Sequence, residues 1–206
     1  MNVPDIYEYL ERISNLLRTD VRRTGTGSRL QPIQLEALHY LSRCNRYSNT
    51  PVAVAEFLGL TKGTVSQTLG VLEANGLIEK ETDARDRRVV HLNLTELGRQ
   101  VVAESIPPQV IRSAVAGWSS QERETVVETL RLLLRRLQQA NGLKTFAACK
   151  TCRHHLVEQG QTRRCGLTLE PLTDADAEKL CREHEFSSAL KPSVLNFGQE
   201  DSAERG

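Results

Sequence analysis

No stretch of this chain approaches the roughly 20 consecutive apolar residues that a membrane-crossing helix requires. The opening MNVPDIYEYLERI carries acids and lacks an apolar core segment, so no secretory leader is expected and a cytoplasmic location follows. Charge of one sign is also missing. With 27 Lys and Arg against 26 Asp and Glu the formal net charge is +1, so no global basic field attracts nucleic acid and any such attraction must be local. Catalytic constellations are absent too. There is no Ser-His-Asp order, no phosphate-cradling glycine loop and no paired acidic cleft, so enzymatic activity is not expected. What remains is ordinary for a folded protein, 39% hydrophobic and 26% charged over 206 residues, enough for one substantial domain and a small appendage.

Most of the information lies between Leu58 and Gly98, LGLTKGTVSQTLGVLEANGLIEKETDARDRRVVHLNLTELG. A short helix leads into Thr61, which is placed to cap a second helix from Lys62 to about Asn75. Val65, Leu69 and Leu72 fall at i, i+4 and i+7 and predict one buried face. The opposite face carries Gly63, Gln67 and Gly70, flanked by Thr64 and Ser66. Two glycines cost a helix about 1 kcal/mol each relative to alanine, which makes sense where a partner must approach the backbone. Gln67 is a side chain that can read adenine, and Thr64 and Ser66 can bond bases or phosphates. Gly76 ends the helix. Leu77–Glu81 then reads as a strand, and the alternation of Val90, Leu92 and Leu94 with Val89, His91 and Asn93 as its partner. The charged tip between them is Asp83-Ala84-Arg85-Asp86-Arg87-Arg88. Helix, turn, helix and two-stranded wing in this order predict a winged helix-turn-helix; a solvated hairpin beside an ordinary helical core is the bland alternative.

Residues from about Leu30 to Gln138 resemble the MarR family of bacterial transcription regulators. The likeness is carried by LQPIQLEALHYL, TPVAVAEFLGLTKGTVSQTLGVLEANGLI and the wing DARDRR with its following LNLTELG. The D-x-R-D-x-R wing is the most specific of these, and all its charged positions are present. The resemblance implies that Arg88 enters the DNA minor groove with Asp86 orienting it, and that Arg85 is a second groove or phosphate contact. A narrow minor groove concentrates negative potential, which arginine exploits. It also implies an obligate homodimer on a pseudo-palindromic double-stranded operator, repression as the action, and a small-molecule or redox effector. The DNA-contacting set expected on these grounds is Thr61, Lys62, Thr64, Ser66, Gln67, Arg85, Asp86, Arg87 and Arg88. A protein-interaction adaptor that keeps the winged fold without DNA is a further reading, against which the intact wing argues.

Flanking segments read as dimer-forming helices. Ile6, Leu10, Ile13 and Leu17 stripe an N-terminal helix, with Gly25 and Gly27 in the loop behind it. Thr95 caps another helix, which Pro107-Pro108 should interrupt, a departure from the long helix usual in the family. Ser119 and Glu122 form a capping box ahead of a long helix lined by Val126, Leu130, Leu133, Leu134 and Leu137. Neither stripe has an evident partner within the winged domain, so packing on a second subunit is the economical expectation.

Four of the five cysteines, Cys149, Cys152, Cys165 and Cys181, follow as C-x2-C-x12-C-x15-C. A C-x2-C turn bends two thiolates onto one ion and two more complete four-coordination, and reduced thiols in a short segment without its own core favour a metal staple over disulfides. His154, His155 and His184 are possible substitutes in the ligand set. The spacing fits a zinc site and also a [4Fe–4S] cluster, which would make the chain an iron–sulfur redox sensor. The site is expected either to staple the lobe or to sense redox or metal status. A C-x2-C thiol-redox protein is a different reading, but such pairs open a helix in a βαβ setting and no flanking strands are visible. Cys44 is expected to be buried and inert. Arg46 reads as a DNA-backbone contact or a solvated loop charge, Trp118 as core, and His39 and His91 as packing or surface residues.

The expected fold is mainly α with a small β wing (α+β). Its parts are an N-terminal dimerisation helix and loop over 1–30, a winged helix-turn-helix over 31–98 and C-terminal dimerisation helices over 99–142. A cysteine-rich metal-binding lobe over 143–186 and a flexible tail over 187–206 complete it.

Overall fold

The computed structural model describes residues 3–24, 30–158 and 162–186, with only the backbone for residues 21–24. Gly25, Gly27 and the expected tail lie outside the described residues. Helix α1 (Val3–Thr24) leads to α2 (Pro32–Arg43), α3 (Pro51–Leu58) and α4 (Lys62–Ala74), then the antiparallel strands β1 (Ile78–Thr82) and β2 (Val90–Leu94), paired from Ile78–Leu94 to Thr82–Val90. Thr50, Thr61, Thr95 and Ser119 each accept a backbone N–H from the first turn of the helix they precede, so the caps set the starts of α3, α4, α5 (Glu96–Ser105) and α7 (Ser120–Ala140). The Pro107-Pro108 break holds: α5 stops at Ser105 and the short α6 (Gln109–Ala114) resumes after it. No described helix is long and apolar enough to cross a membrane.

The core sits under the winged helix-turn-helix. Leu38, Val54, Val65, Leu69, Leu72, Ile78 and Leu92 are almost fully buried in one cluster, so α2, α3, α4 and the wing strands share a single apolar centre. Gly98 lets α5 start against the wing: a Cβ there would stand 2.1 Å from the Leu77 carbonyl oxygen, so only glycine fits. Outside this core, α7 has no buried residue, and Ile6 and Ile13 of α1 are as exposed as Leu130 and Leu134 of α7, at 50–57%. Trp118 is not core. It lies half-buried in the connection between α6 and α7, where two helix ends leave too few neighbours to enclose an indole.

The cysteine-rich segment folds as a lobe of short pieces. Strands β3 (Ala147–Ala148) and β7 (Leu180–Cys181) form one ribbon; β4 (His155–Val157), β5 (Arg163–Cys165) and β6 (Pro171–Leu172) form a second sheet, with α8 (Asp174–Glu178) between β6 and β7. Strands therefore do flank the C-x2-C pair, contrary to expectation. They are antiparallel, and Cys149–Thr151 is a single 3₁₀ turn, so the βαβ setting of a dithiol oxidoreductase is not formed. The lobe docks on the loop between α2 and α3. Phe146 packs edge-on against Phe57 and Tyr40 at ring distances of 5.3 and 6.0 Å, and the Asn45 N–H donates to the Leu180 carbonyl at 2.9 Å. The Arg182 guanidinium clasps both carboxylate oxygens of Glu56 at 2.7 Å.

Candidate nucleic-acid interface and cysteine cluster

Helix α4 is built as the sequence predicts. Thr61 Oγ1 accepts the Thr64 N–H at 3.2 Å and lies 3.0 Å from the Thr64 hydroxyl, which fixes the helix start. Val65, Leu69 and Leu72 face the core, while Lys62, Gly63, Thr64, Ser66 and Gln67 are exposed along one face. A Cβ at Gly70 would meet nothing within 4 Å, and at Gly63 only the cap hydroxyl at 3.9 Å. Nothing within the chain demands glycine at either place; the open space faces outward.

The wing tip is organised by two aspartates. One carboxylate oxygen of Asp83 accepts the backbone N–H groups of Arg85 and Asp86 at 2.7 and 2.8 Å, and the other lies 3.1 Å from His91 Nε2. The two backbone bonds, with His91 adding to them, hold the Asp83 carboxyl down to about 2, so it is an anion throughout the physiological range. Asp86 grips Arg88 with both oxygens, accepting Nε at 2.9 Å and Nη2 at 2.8 Å, and its carboxyl lies below the usual range because of that bond. A bidentate grip of this kind fixes the guanidinium plane while leaving the side chain 90% exposed. Arg85 is equally exposed, and Arg87 is exposed beside it. His91 Nδ1 also meets Asn49 Oδ1 at 2.7 Å, tying the wing to the loop between α2 and α3. Sequence reasoning missed Asp83, His91 and Asn49 as positioning residues. The Asp83-x-Arg85-Asp86 turn, in which a short acid caps two following N–H groups, was the available signal.

The four lobe cysteines stand on separate pieces: the 3₁₀ turn carries Cys149, its end Cys152, β5 Cys165 and β7 Cys181. All are free thiols. Burial pushes the Cys149 thiol up to about 11, and Cys181, Cys152 and Cys165 are near enough to push it further. Burial likewise raises the Cys181 thiol, against the Asn45 amide and the Glu183 backbone N–H that bond to its sulfur. Cys152 Sγ accepts the Glu185 N–H at 3.4 Å. A sulfur that accepts N–H donors is stabilised as a thiolate once a cation offsets its charge. The placement of side chains does not complete a metal site. Among the described residues no group of three or more His, Cys, Asp or Glu stands as a set that could hold a metal ion.

Of the three histidines, His155 places Nδ1 3.5 Å from Cys149 Sγ. His184 is buried, and both its ring nitrogens are engaged by hydroxyls, Thr145 at 2.5 Å and Thr151 at 2.9 Å. His154 Nε2 meets Arg153 Nε at 3.1 Å and Glu185 at 3.7 Å. The fifth cysteine stands apart: Cys44 is buried, and burial pushes its thiol up to about 12, as expected of an inert core residue.

Comparison with known proteins agrees with this geometry. The model of the MarR family matches residues 30–89 and stops well before Cys149. The transcriptional repressor MprA of Escherichia coli is 31% identical over 105 residues, which make up 50% of this chain and 60% of that protein; the match thus spans less than two thirds of the relative's length. Among solved structures, Streptococcus pneumoniae FabT in complex with DNA superposes with a TM-score of 0.54 at 27% identity, covering 68% of this chain and 99% of FabT. The S. aureus MepR–DNA complex superposes with a TM-score of 0.51 at 28% identity, covering 63% of this chain and 97% of MepR. Through its winged helix-turn-helix, with the capped α4 and the D-x-R-D-x-R wing, the chain is similar to MarR-family regulators over residues 30–89.

Proposed function

We propose that this chain is a DNA-binding transcription regulator rather than an enzyme, acting as a homodimeric repressor on a pseudo-palindromic operator. The observation that carries this reading is the bidentate Asp86–Arg88 pair at the wing tip, which holds an oriented and exposed guanidinium, in a chain whose α4 also leaves one face open. Arg88 is the minor-groove reader, Asp86 its positioning residue and Arg85 a second backbone contact. Thr61, Lys62, Thr64, Ser66 and Gln67 line the major-groove side, with Gln67 reading bases and the shorter hydroxyls bonding phosphates or bases. MprA is a repressor, and FabT and MepR have been crystallised on DNA, which supports the same use of the matched region here. The exposed apolar faces of α1 and α7 supply the dimer contact.

The four lobe cysteines are assigned to one metal, with zinc as the ion and a [4Fe–4S] cluster as the alternative that the same donors accept. Bound there, zinc would staple a lobe of two- and three-residue strands. The signal is a small molecule, an oxidant or metal availability.

The test is binding to duplexes selected from the protein's own genomic DNA, with Arg88→Ala beside the wild type. The variant should lose at least about tenfold in affinity, within the 1–3 kcal/mol expected of one well-placed arginine contact, while remaining folded and dimeric. Equal affinity of variant and wild type would remove the wing from the DNA interface.

A further inference from the structure

The turn between β5 and β6, part of the lobe that the family match does not reach, lies against the DNA-reading half of the molecule. It begins at Cys165 and is closed by three backbone bonds: Leu169 N–H to the Cys165 carbonyl at 2.8 Å, Cys165 N–H to the Glu170 carbonyl at 3.0 Å, and Gly166 N–H to the His154 carbonyl at 2.7 Å. This closure presents the Glu170 carboxylate to the loop between α2 and α3 and to the wing. Arg46 Nη2 donates to Glu170 Oε2 at 2.9 Å, and the Tyr47 hydroxyl donates a short hydrogen bond to the same oxygen. The other oxygen lies 3.8 Å from Nη1 of Arg85, the wing arginine assigned above to the DNA backbone. Arg46 is held further by the Pro171 carbonyl at 3.3 Å and by Asp176 at 3.7 Å. The Tyr47 bond, followed by that of Arg46, keeps the Glu170 carboxyl below the usual range, so it is charged.

Two guanidinium groups and a hydroxyl converging on one anionic group form the donor set that proteins offer a DNA phosphate. Here a carboxylate of the same chain takes that place. Resting on the reading of the chain as a DNA-binding protein, we infer that Glu170 is an internal stand-in for a backbone phosphate: it occupies Arg46 and Arg85 in the free protein and must be displaced when DNA binds. The cysteine lobe thereby restrains DNA affinity, and Arg46 becomes a DNA-backbone contact that the restraint conceals. Exposed ion pairs of this kind are weak, so the restraint is a modest one that DNA can overcome.

The test measures binding of the full-length protein to mixed-sequence duplex DNA over a range of salt, comparing wild type, Glu170→Gln and Glu178→Gln. Glu178 is an exposed lobe acid paired with Lys150 and touches neither arginine, so it controls for net charge alone. Glu170→Gln is expected to tighten binding about fivefold at low salt and to steepen the log–log salt slope by about 1 to 2, one per arginine released. Glu178→Gln should leave both unchanged, and in an Arg46→Ala/Arg85→Ala background the gain from Glu170→Gln should vanish. Glu170→Ala, which removes the carboxylate and keeps all three donors, should give a gain of the same sign and serves if Glu170→Gln disturbs the turn. Unchanged or weaker binding by Glu170→Gln and Glu170→Ala, an equal gain from Glu178→Gln, or a gain that survives loss of both arginines would overturn the inference. Wild-type binding that Arg88→Ala abolishes but Glu170→Gln leaves alone would overturn it without touching the DNA reading. No salt-sensitive binding by the wild type would overturn both.

Discussion

Arg88 and Arg85 are both 90% exposed at the wing tip, yet their neighbours differ. Asp86 sits two residues from Arg88 and holds it in a fork, whereas the carboxylate facing Arg85 is Glu170, from a different part of the chain. An exposed ion pair contributes at most about 1 kcal/mol to stability, so these acids matter chiefly for where a guanidinium points and whether it is occupied. Asp86 was legible in the sequence because it belongs to the D-x-R-D-x-R turn. Glu170 was not, since no local pattern announces a contact made only after the lobe docks. The cysteines are a similar case. Their spacing marks them as one set and sets Cys44 apart from it, but not which histidine stands near; only the β4–β5 pairing of His155 with Cys165 brings that ring beside Cys149. Cys165→Ser is expected to abolish metal binding by protein purified without oxygen, as read by elemental analysis and visible absorbance. A colourless wild type with one zinc per chain would mark a staple, and a brown one with iron and acid-labile sulfide a cluster. Metal retained at full stoichiometry by the variant would mean that His155 or another set of three donors holds the ion.

At the scale of elements, helices were readable because each combines a capping residue with an apolar stripe, and the wing because alternation flanks a charged turn. The lobe strands are two or three residues long, too short to carry a period. They exist because the lobe leans on α2, α3 and the loop between them through Phe146, Leu180 and Arg182. Trp118 was misjudged for a related reason: being large and apolar does not bury a residue that sits between two helix ends. The joint between wing and α5 is tight. Thr95 donates to the Gly76 carbonyl at 2.7 Å and accepts the Gly98 N–H at 3.0 Å, which draws α5 so close that Gly98 has no room for a methyl group. Gly98→Ala is therefore expected to destabilise the fold by about 3 kcal/mol, read as an earlier midpoint in chemical unfolding. An unshifted midpoint would mean that α5 can back away from β1 at no cost.

For the whole molecule, the apolar stripes of α1 and α7 were legible as faces, and in the single chain they lie largely exposed. Such faces are costly in water, and in the proposed reading they form the interface with a second copy. A leucine buried across it contributes about 2 kcal/mol, so Leu130→Asp with Leu134→Asp should shift the protein to monomer at concentrations where the wild type is dimeric, as read by light scattering. Operator affinity should fall with it, because two half-sites are then read separately. A dimer that survives both changes would place the interface elsewhere. The near-zero net charge fits the proposed reading, in which attraction for DNA is left to the wing and α4 rather than to a general field.

That local attraction is most directly tested by the salt dependence of duplex binding for wild type and Arg88→Ala, measured side by side. Wild-type affinity should fall steeply and linearly on a log–log scale. Arg88→Ala should bind more weakly, with a slope shallower by about 1. A wild type whose affinity ignores salt, or an Arg88→Ala line that overlays it, would contradict the assignment of this wing to DNA.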